Sequence, residues 1–237
     1  MKKIVFTFLL LTSIIAHSQS FEGTVIYKMD FEISEKLTKM GITKELLLEK
    51  MKSEGSWTDS MKVCYKEGDY YGLIGKKPKS WSFYNSKTNK IYSMTEGSDV
   101  CTVTDASIDT EAAMGGEMPT VKKLDTTVVV NGITCDIVRI KWKNGTTDNY
   151  YNASKLIVDP KLYTKHIYEA WGEYLKISKA LPVKIVKSVQ GMTITMTLIA
   201  ETEEPISDQL FTVPVLVADK DLNKIKIPNR EMMRIKK

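Results

Sequence analysis

Hydrophobic and polar positions alternate with period two over most of this chain. In residues 21–33, Phe21, Val25, Tyr27, Met29, Phe31 and Ile33 fall on one side, with Gly23 interrupting the pattern. Side chains of a β-strand point alternately to its two faces, so this run predicts a long, half-buried first strand. The same pattern recurs late in the chain. Met192, Ile194, Met196 and Leu198 share one side and Thr193, Thr195 and Thr197 the other, in a hairpin turning at Gln190 and Gly191. Residues 181–214 open on Leu181-Pro182 and close on Leu210, Phe211 and Val213 before Pro214, an apolar anchor stopped by proline. Between these limits, Met61–Tyr65 and Tyr70–Ile74 flank Glu67-Gly68-Asp69, and Trp81–Tyr84 and Lys90–Met94 flank a turn-rich connector at residues 85–89. A further strand is expected around residues 100–103. Asn131-Gly132 and Asn144-Gly145 supply residue pairs that tolerate positive φ, as a type I′ turn requires, so residues 128–151 read as a three-stranded meander.

Two segments change period. From Ser34, placed as an N-cap with Glu35 behind it, Leu37, Met40, Leu47 and Met51 suit one helical face. Gly41 argues for two short helices, the second capped by Thr43 and ended by Gly55. From Asp159-Pro160, an acid cap with proline at the first position, Tyr163, Ile167, Ala170, Tyr174 and Ile177 repeat at helical spacing through Ser178. Residues 105–119, with Gly115-Gly116 and scattered acids, read as a loop and the expected mobile segment. The predicted fold is α+β, a large antiparallel sheet with two helical segments covering one face.

The ends alter this picture. Lys2 and Lys3, the apolar run Ile4–Ile15 and the small residues Ala16 and Ser18 have the three parts of a signal peptide, too short to span a bilayer. The expectation is residues 1–18 as a leader cleaved near Ser18, residues 19–214 as one domain, and residues 215–237 as a basic tail. A periplasmic or secreted protein without a transmembrane span follows. The net charge of +5 falls to +3 without Lys2 and Lys3, and the tail carries seven basic residues against three acids. The body is therefore nearly neutral and lacks the basic face that nucleic acid would need. The tail can touch an anionic surface, although a solvated, frayed end is expected, with Ile225, Ile227, Met232 and Met233 as points where part of it docks. Cys64, Cys101 and Cys135 allow one disulfide in any of three pairings or three buried thiols.

Candidate chemistry is sparse. Without His17 the chain has one histidine, His166, beside the Tyr163/Ile167 stripe, where a hydrogen-bonded structural role outweighs a nucleophile-activating one. No Cys-x-x-Cys pair is present, and the acids Asp105, Asp109, Glu111 and Glu117 lack the spacing of a calcium loop. No catalytic residue, cofactor or metal ligand is assigned. The aromatic strands around Tyr65, Tyr70, Tyr71 and Tyr84 instead offer, with adaptable methionines, an apolar surface. Trp81, Phe83, Tyr92, Met192 and Met196 are the candidate ligand-binding residues, with a packed core beneath the helices as the alternative.

The strand, helix, hairpins and second helix leading through Leu181-Pro182-Val183-Lys184-Ile185 to Leu210–Pro214, with Asn131-Gly132-Ile133-Thr134-Cys135-Asp136 opening a central strand, resemble the periplasmic lipoprotein-carrier (LolA-like) superfamily. The resemblance is greatest to its secreted relatives of unknown function. It implies a half β-barrel, open on one side, with helices packed on the concave face. It also implies a non-enzymatic role in binding or carrying an apolar ligand such as a lipid or lipoprotein acyl chain. The alternative is an envelope-associated interaction or structural protein with a filled core.

Overall fold

A computed structural model describes residues 20–54, 57–75, 77–223 and 226–236. The expected leader with its cleavage point, Gly55 and Ile225 lie outside them. The chain opens with β1 (Gly23–Ile33), α1 (Glu35–Lys39) and α2 (Lys44–Ser53). Five strands follow: β2 (Ser60–Lys66), β3 (Asp69–Ile74), β4 (Ser80–Asn85), β5 (Lys90–Thr95) and β6 (Val100–Asp105). After α3 (Thr110–Gly115) come β7 (Thr120–Val130), β8 (Ile133–Trp142) and β9 (Gly145–Tyr151). Two 3-10 turns, Pro160–Tyr163 and Tyr168–Ala170, lead into α4 (Trp171–Ser178), then β10 (Lys184–Val189) and β11 (Met192–Glu203). The last strands are β12 (Leu216–Ala218) and β13 (Arg230–Ile235).

All thirteen strands form one open antiparallel sheet in the order β12-β13-β6-β5-β4-β3-β2-β1-β11-β10-β9-β8-β7. The chain winds outward from β1, through α1 and α2 and then by hairpins, to β6, crosses to the far edge at β7, and returns through β8, β9 and, after residues 152–183, β10 to close on β1 through β11. That pairing of the first long strand with one 159 to 180 residues later joins the two halves, and it carries a bulge between Ile26 and Tyr27. The expected α+β open sheet of half-barrel form is present, with a few short helices. The positive-φ turn expected at Asn131-Gly132 forms, and the turn expected at Gln190-Gly191 forms with positive φ at both residues. At Asn144-Gly145 the turn differs. Neither residue has positive φ, and Gly145 already pairs with Trp142, leaving Lys143 and Asn144 as the loop. Glycine is required there because a Cβ would lie 2.5 Å from the Ser188 carbonyl of β10.

Helical cover is less than expected, since only the segment ending in α4 packs on the sheet. Neither α1 nor α2 buries a residue, and Met40 is 66% exposed. Six of the ten residues of α2 are charged or serine, and at the end of β1 it is Trp57, beyond the helix, that meets Phe31 edge-to-face at 4.9 Å. Ser34 does not cap; its amide donates to the Gly191 carbonyl (2.7 Å), while Thr43 caps α2 by accepting from Leu46.

Two further expectations change, and of the two alternatives for the cysteines one is found. Residues 105–119 are built into the fold: Asp109 is buried, its Oδ1 accepting from the Ala112 amide (2.8 Å) and from Trp142 Nε1 (3.1 Å), so that it caps α3 instead of facing a cation. The tail is part of the sheet, because β13 pairs with β6. Arg234 lies between Asp99 (2.8 Å) and Asp219 (2.7 Å), which neutralise part of the charge that made the tail look free. The three cysteines are free thiols, all buried. Among the described residues, no helix is long and apolar enough to cross a membrane.

Candidate ligand-binding trough

The two faces of the sheet carry separate cores, divided by the alternation of each strand. On β4, Tyr84 joins a large cluster with Val25, Tyr27, Val63, Tyr65, Tyr163, Tyr174 and Leu181, whereas its neighbour Phe83 joins a small one with Tyr92, Cys101, Ile206 and Phe211. The first face, here the inner face, lies under residues 156–183. The outer face takes the return segment 206–211, so Phe211 anchors the end of the long stretch as expected, but on the outer side.

Residues 160–178 plug the inner face. The helical period predicts one continuous helix, but the chain makes a 3-10 turn, breaks, and restarts at Trp171. Two contacts account for the break. The amides of Ile167 and Tyr168 both donate to the Ala106 carbonyl (2.7 and 2.9 Å), and Gly172 passes so close that a Cβ would lie 2.5 Å from the Tyr163 carbonyl. Glu169 and Ala170 accept φ of 53° to make that path, the left-handed region that non-glycine residues seldom adopt. Ile167 is left 38% exposed, while Tyr163, Ala170 and Tyr174 are buried.

His166 is 2% exposed. Its Nε2 lies 2.9 Å from the Tyr70 hydroxyl, and its ring packs 4.4 Å from that of Tyr84. Burial pushes its pKa down to about 4, so the imidazole is neutral at neutral pH. Burial likewise raises the Tyr27, Tyr70, Tyr163 and Tyr174 hydroxyls well above their ordinary value. Tyr27 donates to the Pro182 carbonyl (2.8 Å) and Tyr174 to that of Ala180 (2.9 Å), which fixes the segment against the sheet. Lys187 of β10 reaches Glu169 at 2.7 Å and holds the plug from the other side.

Beside the plug the inner face is uncovered. A cavity of about 210 Å³ is bounded by Met61, Val63, Tyr65, Tyr70, His166 and Trp171. It adjoins a second, of about 320 Å³, at Ser82, which lines both. The second follows the inner-face rungs of β3 to β6, where Gly72 faces Ser82, Ser82 faces Ser93 and Ser93 faces Thr102. Together they form a trough whose apolar end lies at the plug and whose far end is hydroxylic. Its combined size is that of an ordinary small-molecule site, roughly 300–1,000 Å³. A larger opening of about 540 Å³ lies among the hairpin tips at Asn144 and Gln190-Gly191, lined by Ile33, Trp142, Val189 and Met192 together with Lys141 and Lys143.

The five candidate residues do not come together. Phe83 and Tyr92 stack on each other at 5.0 Å in the outer core, and Trp81 shares their side of β4 while also bordering the hydroxylic cavity. Met192 borders the opening at the hairpin tips. Met196 alone packs beside the inner core near the plug. The residues that line the trough are Tyr65, Tyr70, Gly72, Ser82 and Trp171. The available signal was the register across Glu67-Gly68: Tyr65 opposes Tyr70 and Tyr70 opposes Tyr84, which separates these tyrosines from Phe83.

No family model matches the chain, and no curated protein matches it. Among solved structures, PNGF-II in its C2 crystal form is similar with a TM-score of 0.43 at 11% identity, covering 80% of this chain and 29% of that one. The P21 form gives 0.42 at 11% identity, covering 80% and 30%. The chain spans less than a third of the length of PNGF-II, and a likeness at this level carries no argument about function.

Proposed function

We propose that this is an exported, non-enzymatic binding protein of half-barrel form, akin to the lipoprotein carriers it resembles, that takes an apolar or amphiphilic ligand in the inner-face trough. The observation that carries the reading is the cavity between the plug and β2–β4, whose walls are methionine, valine, tyrosine and tryptophan side chains. Methionine and aromatic walls bind apolar matter without demanding one shape. The non-catalytic part is supported by the commitment of His166 to Tyr70 and Tyr84, which leaves it no nucleophile to activate. Export is supported by the leader-like residues 1–18. A lipid or lipoprotein acyl chain is the natural occupant of such a wall.

Native mass spectrometry of the full chain purified from cells without detergent, followed by lipid extraction, tests the reading. The expected result is a co-purifying lipid-class ligand that is absent from Gly72→Leu. Glycine at 72 has no positive φ, and its Cβ would meet nothing closer than 3.9 Å, so leucine there fills the trough without distorting the strand. A ligand-free wild type that also fails to bind a fluorescent fatty acid refutes it.

One observation favours a second reading, an envelope-associated protein that works through its surface. Tyr163, Tyr174 and Leu175 of the plug and Leu181 just after it are buried, so that part of the inner face is filled by the chain itself. An envelope protein recovered equally by wild type and Gly72→Leu would support this reading over the first.

A further inference from the structure

We infer that the ligand is an uncharged, hydroxyl-bearing amphiphile, of the monoacylglycerol class, with its tail against the plug and its polyol head on the row Ser82, Ser93 and Thr102. This rests on the binding function proposed above and specifies the ligand of that same site. Ser82, Ser93 and Thr102 occupy successive rungs of β4, β5 and β6 on one face. Neighbouring strands lie roughly 4.8 Å apart, so the three hydroxyls make a ladder about 10 Å long. All three are half-buried, and among the described residues none of these hydroxyls has a protein hydrogen-bond partner. Nearby Ser80 and Thr95, by contrast, bond each other at 3.2 Å. A hydroxyl both donates and accepts, so an open row of them matches a polyol better than a purely apolar chain.

The charge of the walls selects the head group. Among the described residues, none that lines the hydroxylic cavity is charged. The one acid beside the apolar cavity, Glu169, is held by Lys187, and Arg230 is turned to the Tyr168 hydroxyl (3.3 Å); neither cation lines the trough. A carboxylate or phosphate head would leave water without a counter-charge, whereas an uncharged polyol would not.

Isothermal titration of the full chain with 1-monodecanoylglycerol and with decanoate, each below its aggregation threshold, tests the assignment, with folding of every variant checked by circular dichroism. Wild type is expected to bind the glycerol ester at least tenfold more tightly than decanoate. Ser93→Val/Thr102→Val should reduce the ester to the affinity of decanoate, and Gly72→Leu should abolish binding of both. Equal affinities in wild type, or a double variant that binds the ester like wild type, overturn the head-group assignment and leave the binding function standing. Absence of any binding by wild type, or binding that survives Gly72→Leu, overturns both.

Discussion

The inner face of this sheet has two parts that share strands but not chemistry. Under the plug its residues are large and apolar: Tyr27, Tyr65, Tyr84 and Leu198 are buried and meet Tyr163, Tyr174 and Leu175 from above. Along β3 to β6 the same face continues as Gly72, Ser82, Ser93 and Thr102, small residues that border open cavity space, Gly72 buried and the others half-buried. If the uncovered part existed only to be a sheet, larger β-branched side chains would hold it better. The transition from tyrosine to serine within single strands, as from Tyr84 to Ser82 on β4, separates a part of the face that the chain fills from a part that it leaves open.

The largest expected effect lies in the filled part. Tyr174→Ala removes a wholly buried ring that packs 5.2 Å from Trp171 and donates to the Ala180 carbonyl. A loss of about 4 kcal/mol by urea denaturation is expected, the usual cost of truncating a core aromatic to alanine. A loss below about 1 kcal/mol would mean that the plug is not part of the core.

The buried histidine gives the next effect. Because burial holds His166 near 4 and an unfolded chain near 6.5, the unfolded state binds the extra proton first as pH falls. The contribution is therefore fully present above pH 6.5, declines between 6.5 and 4, and levels off below, with a total of about 3 kcal/mol at 1.36 kcal/mol per pH unit. Other groups titrate in the same range, so the measurement is the difference between wild type and His166→Gln at pH 7 and pH 4.5. Parallel pH dependence in the two proteins would contradict the burial of a neutral ring.

Two glycines place the comparison on one substitution. Gly172→Ala, in the plug, puts a methyl group 2.5 Å from the Tyr163 carbonyl and 2.9 Å from that of His166, and should cost about 2 kcal/mol. Gly72→Ala, in the trough, meets nothing nearer than 3.9 Å and should stabilise by about 0.5 kcal/mol, because alanine restricts the unfolded chain. Thermal melting of the two variants against wild type checks both signs. Equal losses would erase the distinction between filled and open parts.

Much of the sheet is legible in the sequence because its determinants are local. Asn131-Gly132 and Gln190-Gly191 carry their own positive φ, and period two marks the strands between them. What period two leaves open is which side of a strand receives cover. That is decided by residues 160–178, far along the chain, which is why Phe83 and Tyr92 look equivalent to Tyr84 and are not. The break in the plug is equally hidden, since the left-handed residues are Glu169 and Ala170, types with no preference for that region. The docking of β13 depends on Asp99, 135 residues from Arg234, and a charge tally of the tail cannot see it. Tyr65 and Tyr70 at the plug end of the trough are legible as an aromatic group on neighbouring strands; Met61 beside them and the hydroxyl row are not, because serine and threonine on a strand ordinarily mark solvent.

That last ambiguity sets the smallest expected effect. Ser93→Val/Thr102→Val replaces two half-buried hydroxyls with methyl groups of similar size on residues that pair within the sheet. If the row serves only as solvated surface, valine's better fit to a pleated strand should raise stability slightly, by about 0.5 kcal/mol. The same gain is expected if the row serves a ligand, since the hydroxyls bond nothing in the protein. Stability therefore cannot distinguish the two roles, whereas stability together with ligand-induced stabilisation can. Saturating 1-monodecanoylglycerol should raise the melting temperature of wild type and raise that of the double variant far less, since only binding to the native state shifts the transition. A double variant that loses stability without ligand would place the hydroxyls in the fold itself, and the contrast between the two parts of the inner face would then be one of packing alone.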